Sequence, residues 1–224
     1  MKSLSARLHS LPGVAVLLLV ALVGATACGR RGSGTPARDV RSVPSFTRAA
    51  IAAHATLSLH VDPAVTTPFV QISGDDDVVP LLHTTVDDDT LHIEFDSEPR
   101  PNLPLEISIT VANLSALRIS GAVDGRVTGL HTDDFQLHVS GAAKLALQGE
   151  AAAATMRVSG AVHLNASQLI ATKVKLRVSG AAQASVHATS RLDVKVSGAA
   201  GVRYSGNPPT IRKTLSGAAS VTPK

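Results

Sequence analysis

From about residue 105 to the C-terminus, apolar and polar side chains alternate with a period of two, and a Ser-Gly pair interrupts them at regular intervals. The pair recurs at Ser120-Gly121, Ser140-Gly141, Ser159-Gly160, Ser179-Gly180, Ser197-Gly198 and Ser216-Gly217, with successive spacings of 20, 19, 20, 18 and 19 residues, and Ala follows each copy. The residue before the serine is Ile119, Val139, Val158, Val178, Val196 or Leu215, and two positions earlier stand Leu117, Leu137, Met156, Leu176 and Val194. Val127, Leu147, Val186 and Tyr204 fall seven residues beyond it. Period-two alternation marks strands with one buried face, and a repeat of this length is the signature of stacked-repeat architectures. Each unit therefore predicts a strand, a tight Ser-Gly-Ala corner, a second strand and a looser return. The expected fold is an all-β solenoid built from repeats of about 19 residues.

The corner has a physical logic. A sharp bend commonly needs one residue at positive φ, which Gly adopts without penalty. Small Ser and Ala let neighbouring coils approach at strand spacing, with the hydroxyl free to bond an adjacent backbone. Six serines in one column argue against a nucleophile, which needs one activated side chain beside a unique base. The first half also alternates, at Leu57–Val61, Leu91–Phe95 and Leu105–Val111, and Ile72-Ser73-Gly74 hints at a degenerate corner. These strands are expected to continue the stack and cap one end. Ala49–Ala55 is the one weak helical candidate after the N-terminal segment.

Aromatic residues make up only 2% of the chain, so a core has to be built from Ala, Val, Leu and Ile. The N-terminus predicts export. Lys2 and Arg7 precede an apolar run from Val14 to Val23, which is half the length that spans a bilayer. Ala25-Thr26-Ala27-Cys28 then resembles a bacterial lipobox, although Ala25 replaces the usual leucine and Ala-Thr-Ala also suits ordinary cleavage. Cys28, the sole cysteine, is the expected lipidation site, which makes the membrane a partner through acyl chains. With Gly29 rather than Asp after it, the expected destination is the outer membrane, facing the periplasm or the surface. The expected organisation is a signal peptide over 1–27, a lipidated tether over 28–40 and one domain over 41–223, irregular to 116 and regular from 117.

Several stretches are similar to one known family. They are Thr47–Ile51, Ile72–Leu82, Val86–Phe95, Leu105–Gly121, Gly201–Pro209 and Leu215–Val221. Together they resemble the putative auto-transporter adhesin, head GIN domain family over nearly all of 43–223. Family members often carry Ser-Gly-Ser-Gly where this chain has Ser-Gly-Ala-Ala. The resemblance implies a right-handed β-helix on a bacterial envelope lipoprotein, and it carries no catalytic residues.

Charge divides the chain. Residues 39–116 hold three Arg against twelve Asp and Glu, net −9, whereas 117–224 hold thirteen Lys and Arg against five acids, net +8. Such asymmetry steers association with charged partners. At the solvent-facing position two before each serine stand Arg118, His138, Arg157, Arg177 and Lys195. Stacked, they form a positive ladder suited to an anionic envelope glycan, lipid headgroups or another polyanion; the plainer reading is a charged column that keeps a sheet soluble. Nucleic acid is disfavoured, because the chain lacks aromatic stacking platforms. Asp75–Asp77 and Asp87–Asp89 are read as solvated turns, since neither fits a calcium-loop spacing. No metal, cofactor or catalytic motif is expected. The function expected is that of a non-catalytic, adhesin-like binding module. The alternatives are a β-helix polysaccharide-active enzyme and a structural protein that self-associates through exposed strand ends.

Overall fold

The computed structural model describes residues 31–224. The expected signal peptide and Cys28 lie outside the described residues. Eleven strands follow one another: β1 (Pro36–Ser42), β2 (Arg48–Ala52), β3 (Ala55–Val61), β4 (Phe69–Asp75), β5 (Leu82–Asp87), β6 (Thr90–Phe95), β7 (Glu106–Val111), β8 (Ala116–Gly198), β9 (Gly201–Ser205), β10 (Thr210–Ser216) and β11 (Ser220–Pro223). A single 3-10 turn, Val79–Leu81, precedes β5, and the Ala49–Ala55 segment is strand rather than helix.

The all-β expectation holds, but the right-handed β-helix or β-solenoid of Ser-Gly-Ala repeats does not. The strands form one mixed sheet in the order β1-β4-β7-β3-β8-β2-β6-β5, with β9, β10 and β11 joined to it off that path. It curls into an open half-barrel rather than winding as a helix of coils. Antiparallel pairs overturn the expectation: β1 with β4, β4 with β7, and β5 with β6. The last of these has a local origin. Asp88 and Asp89 both take positive φ, 44° and 60°, which is the twist a two-residue hairpin turn requires. The second acidic triplet therefore folds β6 back on β5 instead of leading into another parallel strand.

Parallel pairing does follow the repeat elsewhere. β10 lies along the end of β8 with Leu215 opposite Val196 and Ser216 opposite Ser197. β9 lies along β8 with Val202 opposite Ala184. β2 and β3 both pair in parallel with the start of β8, Ile51 opposite Ile119 and Leu57 opposite Gly125. Inward positions thereby fall into columns, and one apolar core runs from Val43 to Val202. Phe135, fully buried, and Phe46 are its bulkiest members.

The described part of the expected tether, residues 31–40, runs against the sheet. Pro36 to Ser42 pair with Asp75 to Phe69. Ahead of them, Gly32 N–H donates to Arg100 O at 2.9 Å. The carboxylate of Asp75, fully buried, accepts the N–H groups of Gly34, Asn102 and Leu103 at 2.6, 2.8 and 3.0 Å. Burial pushes the Asp75 carboxyl pKa up, but these three backbone bonds outweigh it and leave it below the usual carboxylate value.

Candidate functional site

The Ser-Gly corners lie against one another along the sheet. Each corner glycine from Gly121 to Gly217 has positive φ, between 81° and 114°. A Cβ built on Gly180 would sit 2.7 Å from Gly160 O, and one on Gly198 equally close to Gly180 O. Only hydrogen fits there, so the column needs glycine for both conformation and space. Ser140, Ser159 and Ser197 hydroxyls donate to Ile119 O, Val139 O and Val178 O at 3.4, 3.3 and 3.5 Å, in each case the carbonyl of the residue just before the neighbouring strand's corner serine.

On one side of this column stands the basic ladder. Strand alternation turns residues 117 and 119 into the core and residue 118 outward, and the same parity holds in each later copy. Arg118 lies opposite Ala50, which in turn lies opposite His92, and Lys195 lies opposite Thr214. Arg48, Arg118, His138 and Arg157 line a shallow depression of about 560 Å³. His138, Arg157, Arg177, Lys195 and Thr214 line another of about 480 Å³, together with Ser159, Ser179 and Ser197. His138 and Arg157 belong to both, so the two are one continuous trough. Among the described residues, no carboxylate makes an ion pair with Arg118, Arg157, Arg177 or Lys195. Asp193, an acid on the same outward face two residues before Lys195, is engaged by Arg191 at 2.7 Å, and that bond holds its pKa low. Burial, then the positive charges of Arg118 and Arg157, push the His138 pKa below its ordinary value. Its imidazole feels both neighbours, which places the three side chains in one electrostatic neighbourhood.

The other side of the corner is apolar. A groove of about 1260 Å³ is floored by the alanines after each glycine, among them Ala142, Ala161 and Ala181, and is walled at one end by Pro101–Leu105. These methyls are exposed. Sequence reasoning took the same alanines only as spacers that let strands approach.

Residues 49–208 match the family described as putative auto-transporter adhesin, head GIN domain. The chain belongs to this family. The head GIN domain has solved relatives of the same fold. A putative adhesin from Bacteroides fragilis superposes with a TM-score of 0.71 at 21% identity, covering 88% of this chain and 100% of that one. A putative lipid binding protein from Parabacteroides distasonis gives 0.54 at 19% identity, covering 87% and 98%. A putative adhesin from the same species gives 0.51 at 18%, covering 88% and 100%. No curated protein matches the sequence. The family and these neighbours are named as adhesins or a binding protein, not as enzymes, and an adhesin-like family is one of envelope or surface proteins.

Within this GIN domain the remaining polar groups serve the framework. Ser205 Oγ lies 3.1 Å from His187 Nδ1, and His60 Nδ1 lies 3.0 Å from Thr128 Oγ1. Both are pairs of residues directly opposite on parallel strands, and no acid among the described residues orients either imidazole. The acidic triplets are occupied in the same way. Asp89 accepts from Thr47 N at 2.8 Å and from Thr47 Oγ1 at 2.5 Å, while Asp76 and Asp77 accept from Ser33. Among the described residues, no group of His, Cys, Asp and Glu is placed to hold a metal.

Proposed function

We propose that this chain is an exported cell-envelope protein, anchored by lipid at Cys28, whose head GIN domain binds an anionic surface polymer through the ladder from Arg118 to Lys195. The trough carries this reading: four unpaired cations and one histidine in a single outward column with serine hydroxyls beside it. Exposed cations that make no ion pair remain available to an external anion, and the attraction is screened by salt. The test is a titration with dextran sulfate over a series of salt concentrations. The unaltered protein should bind, and bind less well as salt rises. Arg157→Glu with Arg177→Glu should abolish binding, and undiminished binding by that variant would refute the assignment. Mass spectrometry of the mature N-terminus tests the anchor separately, since acylation adds a defined mass to Cys28.

The apolar groove favours a second reading, binding of a hydrocarbon chain, in line with the relative named as a lipid binding protein. A fluorescent fatty acid should then bind the unaltered protein and lose affinity for Ala161→Glu. Equal affinity for both proteins would eliminate the groove as its site.

A further inference from the structure

The ladder has a pitch as well as a sign, and the pitch selects among polyanions. This step rests on the reading of the trough as a polyanion site. Its cations sit one to a strand on neighbouring parallel strands, so they recur at about 4.8 Å across the sheet. We propose that the partner is a polyuronate-type glycan, carrying one carboxylate on every sugar ring, laid along the trough at right angles to the strands.

Three observations converge on that chemistry. First, each strand from Arg118 to Lys195 presents one basic side chain, an arginine or lysine on four of them and on the second His138, whose imidazole N–H can donate to a carboxylate, so a polymer charged on every monomer meets a partner at each step. A polymer charged on alternate sugars would leave every second cation without an anion. Second, the column next to the cations is hydroxyl. Ser159, Ser179, Ser197 and Ser216 line the trough beside Arg157, Arg177 and Lys195. A row of hydroxyls running beside the row of basic groups matches a ligand that carries sugar hydroxyls alongside its carboxylates. Third, the trough lacks any aromatic side chain, so neither neutral-sugar stacking nor base stacking contributes there. Binding is left to charge and hydrogen bonding, in which Arg forms bidentate bonds to a carboxylate.

The geometry also sets a length. Five ladder positions from Arg118 to Lys195 accept successive carboxylates, and Thr214 stands in the sixth place as a hydroxyl. At the opposite end, the place beside Arg118 in the same column is Ala50, which carries no charge, and the run of basic groups stops there. Affinity should therefore climb with each added sugar until the five positions are filled, then level off.

The experiment uses the mature protein and oligogalacturonates graded from dimer to octamer, with hyaluronan oligomers of equal ring number as the half-charged comparison. Calorimetry at low salt should give affinity rising to the pentamer or hexamer and flat beyond it. Hyaluronan of the same length should bind at least about tenfold more weakly. Arg157→Gln, in the middle of the run, should cost the long oligomers more than the dimer, because a short ligand can shift to the intact end. Equal binding of both polymers would overturn the matched pitch while leaving a polyanion trough standing. Affinity that keeps rising through the octamer would overturn the five-position limit. If dextran sulfate binds but no galacturonate does, the partner class is wrong although the face is right; if none binds, the underlying reading fails as well.

Discussion

Gly160 concentrates in one residue what the corners demand. Its φ is +102°, and a Cβ there would lie 3.0 Å from Gly141 N and against Gly141 O. Gly160→Ala should cost at least about 1–3 kcal/mol from conformation alone, with the clash added, and urea unfolding would measure it. Loss of less than that would mean the sheet gives way easily at its corners. His138 acts at the same scale. Its pKa is depressed in the folded protein, so the unfolded chain binds its proton first as pH falls. The histidine therefore costs nothing above its ordinary pKa and destabilises the fold progressively as pH drops below it. His138→Asn should flatten that part of the stability–pH curve. A polyanion in the trough should reverse the sign by raising the His138 pKa, and NMR titration of the imidazole with and without ligand would read both effects.

Among elements, β1 and β10 guard opposite ends of the sheet. β1 is held through Asp75, whose carboxylate binds the backbone ahead of it and the Asn102–Leu103 backbone at once. Asp75→Ala would leave those N–H groups unpaired, so amide exchange at Gly34, Asn102 and Leu103 should accelerate and Tm should fall. Because the Asp75 pKa is lowered on folding, its stabilisation is present above the usual carboxylate value and is lost as pH falls through the folded one; the variant should show a weaker acid dependence. β10 pairs with β8 alone and is exposed throughout. Its middle residue, Lys213, takes the place opposite core residue Val194, yet its ammonium donates to Val221 O at 3.2 Å and lies 4.9 Å from the Tyr204 ring centroid. An inward charge on an edge strand discourages pairing with another chain. Lys213→Leu should therefore promote dimers in sedimentation velocity, and a strictly monomeric variant would show that the lysine is not what keeps the edge apart.

These two elements also mark the limit of sequence reasoning. Alternation at Leu117–Ile119 and its later copies was enough to fix strands, inward columns and the outward ladder, since parity alone decides which face a side chain takes. β1 was invisible: Arg30–Val40 has the Gly, Ser, Pro and Arg of a linker, and its pairing depends on Asp75, a carboxylate that no local pattern marks as buried. The β5–β6 hairpin was missed because Asp88-Asp89 lacks the Asn-Gly or Asp-Gly of a familiar hairpin turn and looks like a solvated acidic run. The groove went unrecognised because alanine after glycine says nothing about the concavity it faces.

At the scale of the whole molecule, the sheet is assembled from pairings of very different reach. Late in the chain, partners stand 19 residues apart, as Ser197 and Val178 do. Early in it, Arg48 waits for Ala116 and Thr47 for Ser115, 68 residues on. Closing a short loop costs less entropy than closing a long one, and near contacts form faster. The C-terminal half is thus able to assemble progressively, strand upon strand, while β2 and β3 stay without their β8 partners until that strand has begun. Pulse-labelled hydrogen exchange during refolding should show protection in residues 130–200 before residues 48–61; the reverse order would refute this sequence of events. During synthesis, which proceeds from the N-terminus, the chain must then hold its first strands unfinished, open to chaperones or to premature pairing, for as long as the following seventy or so residues take to arrive.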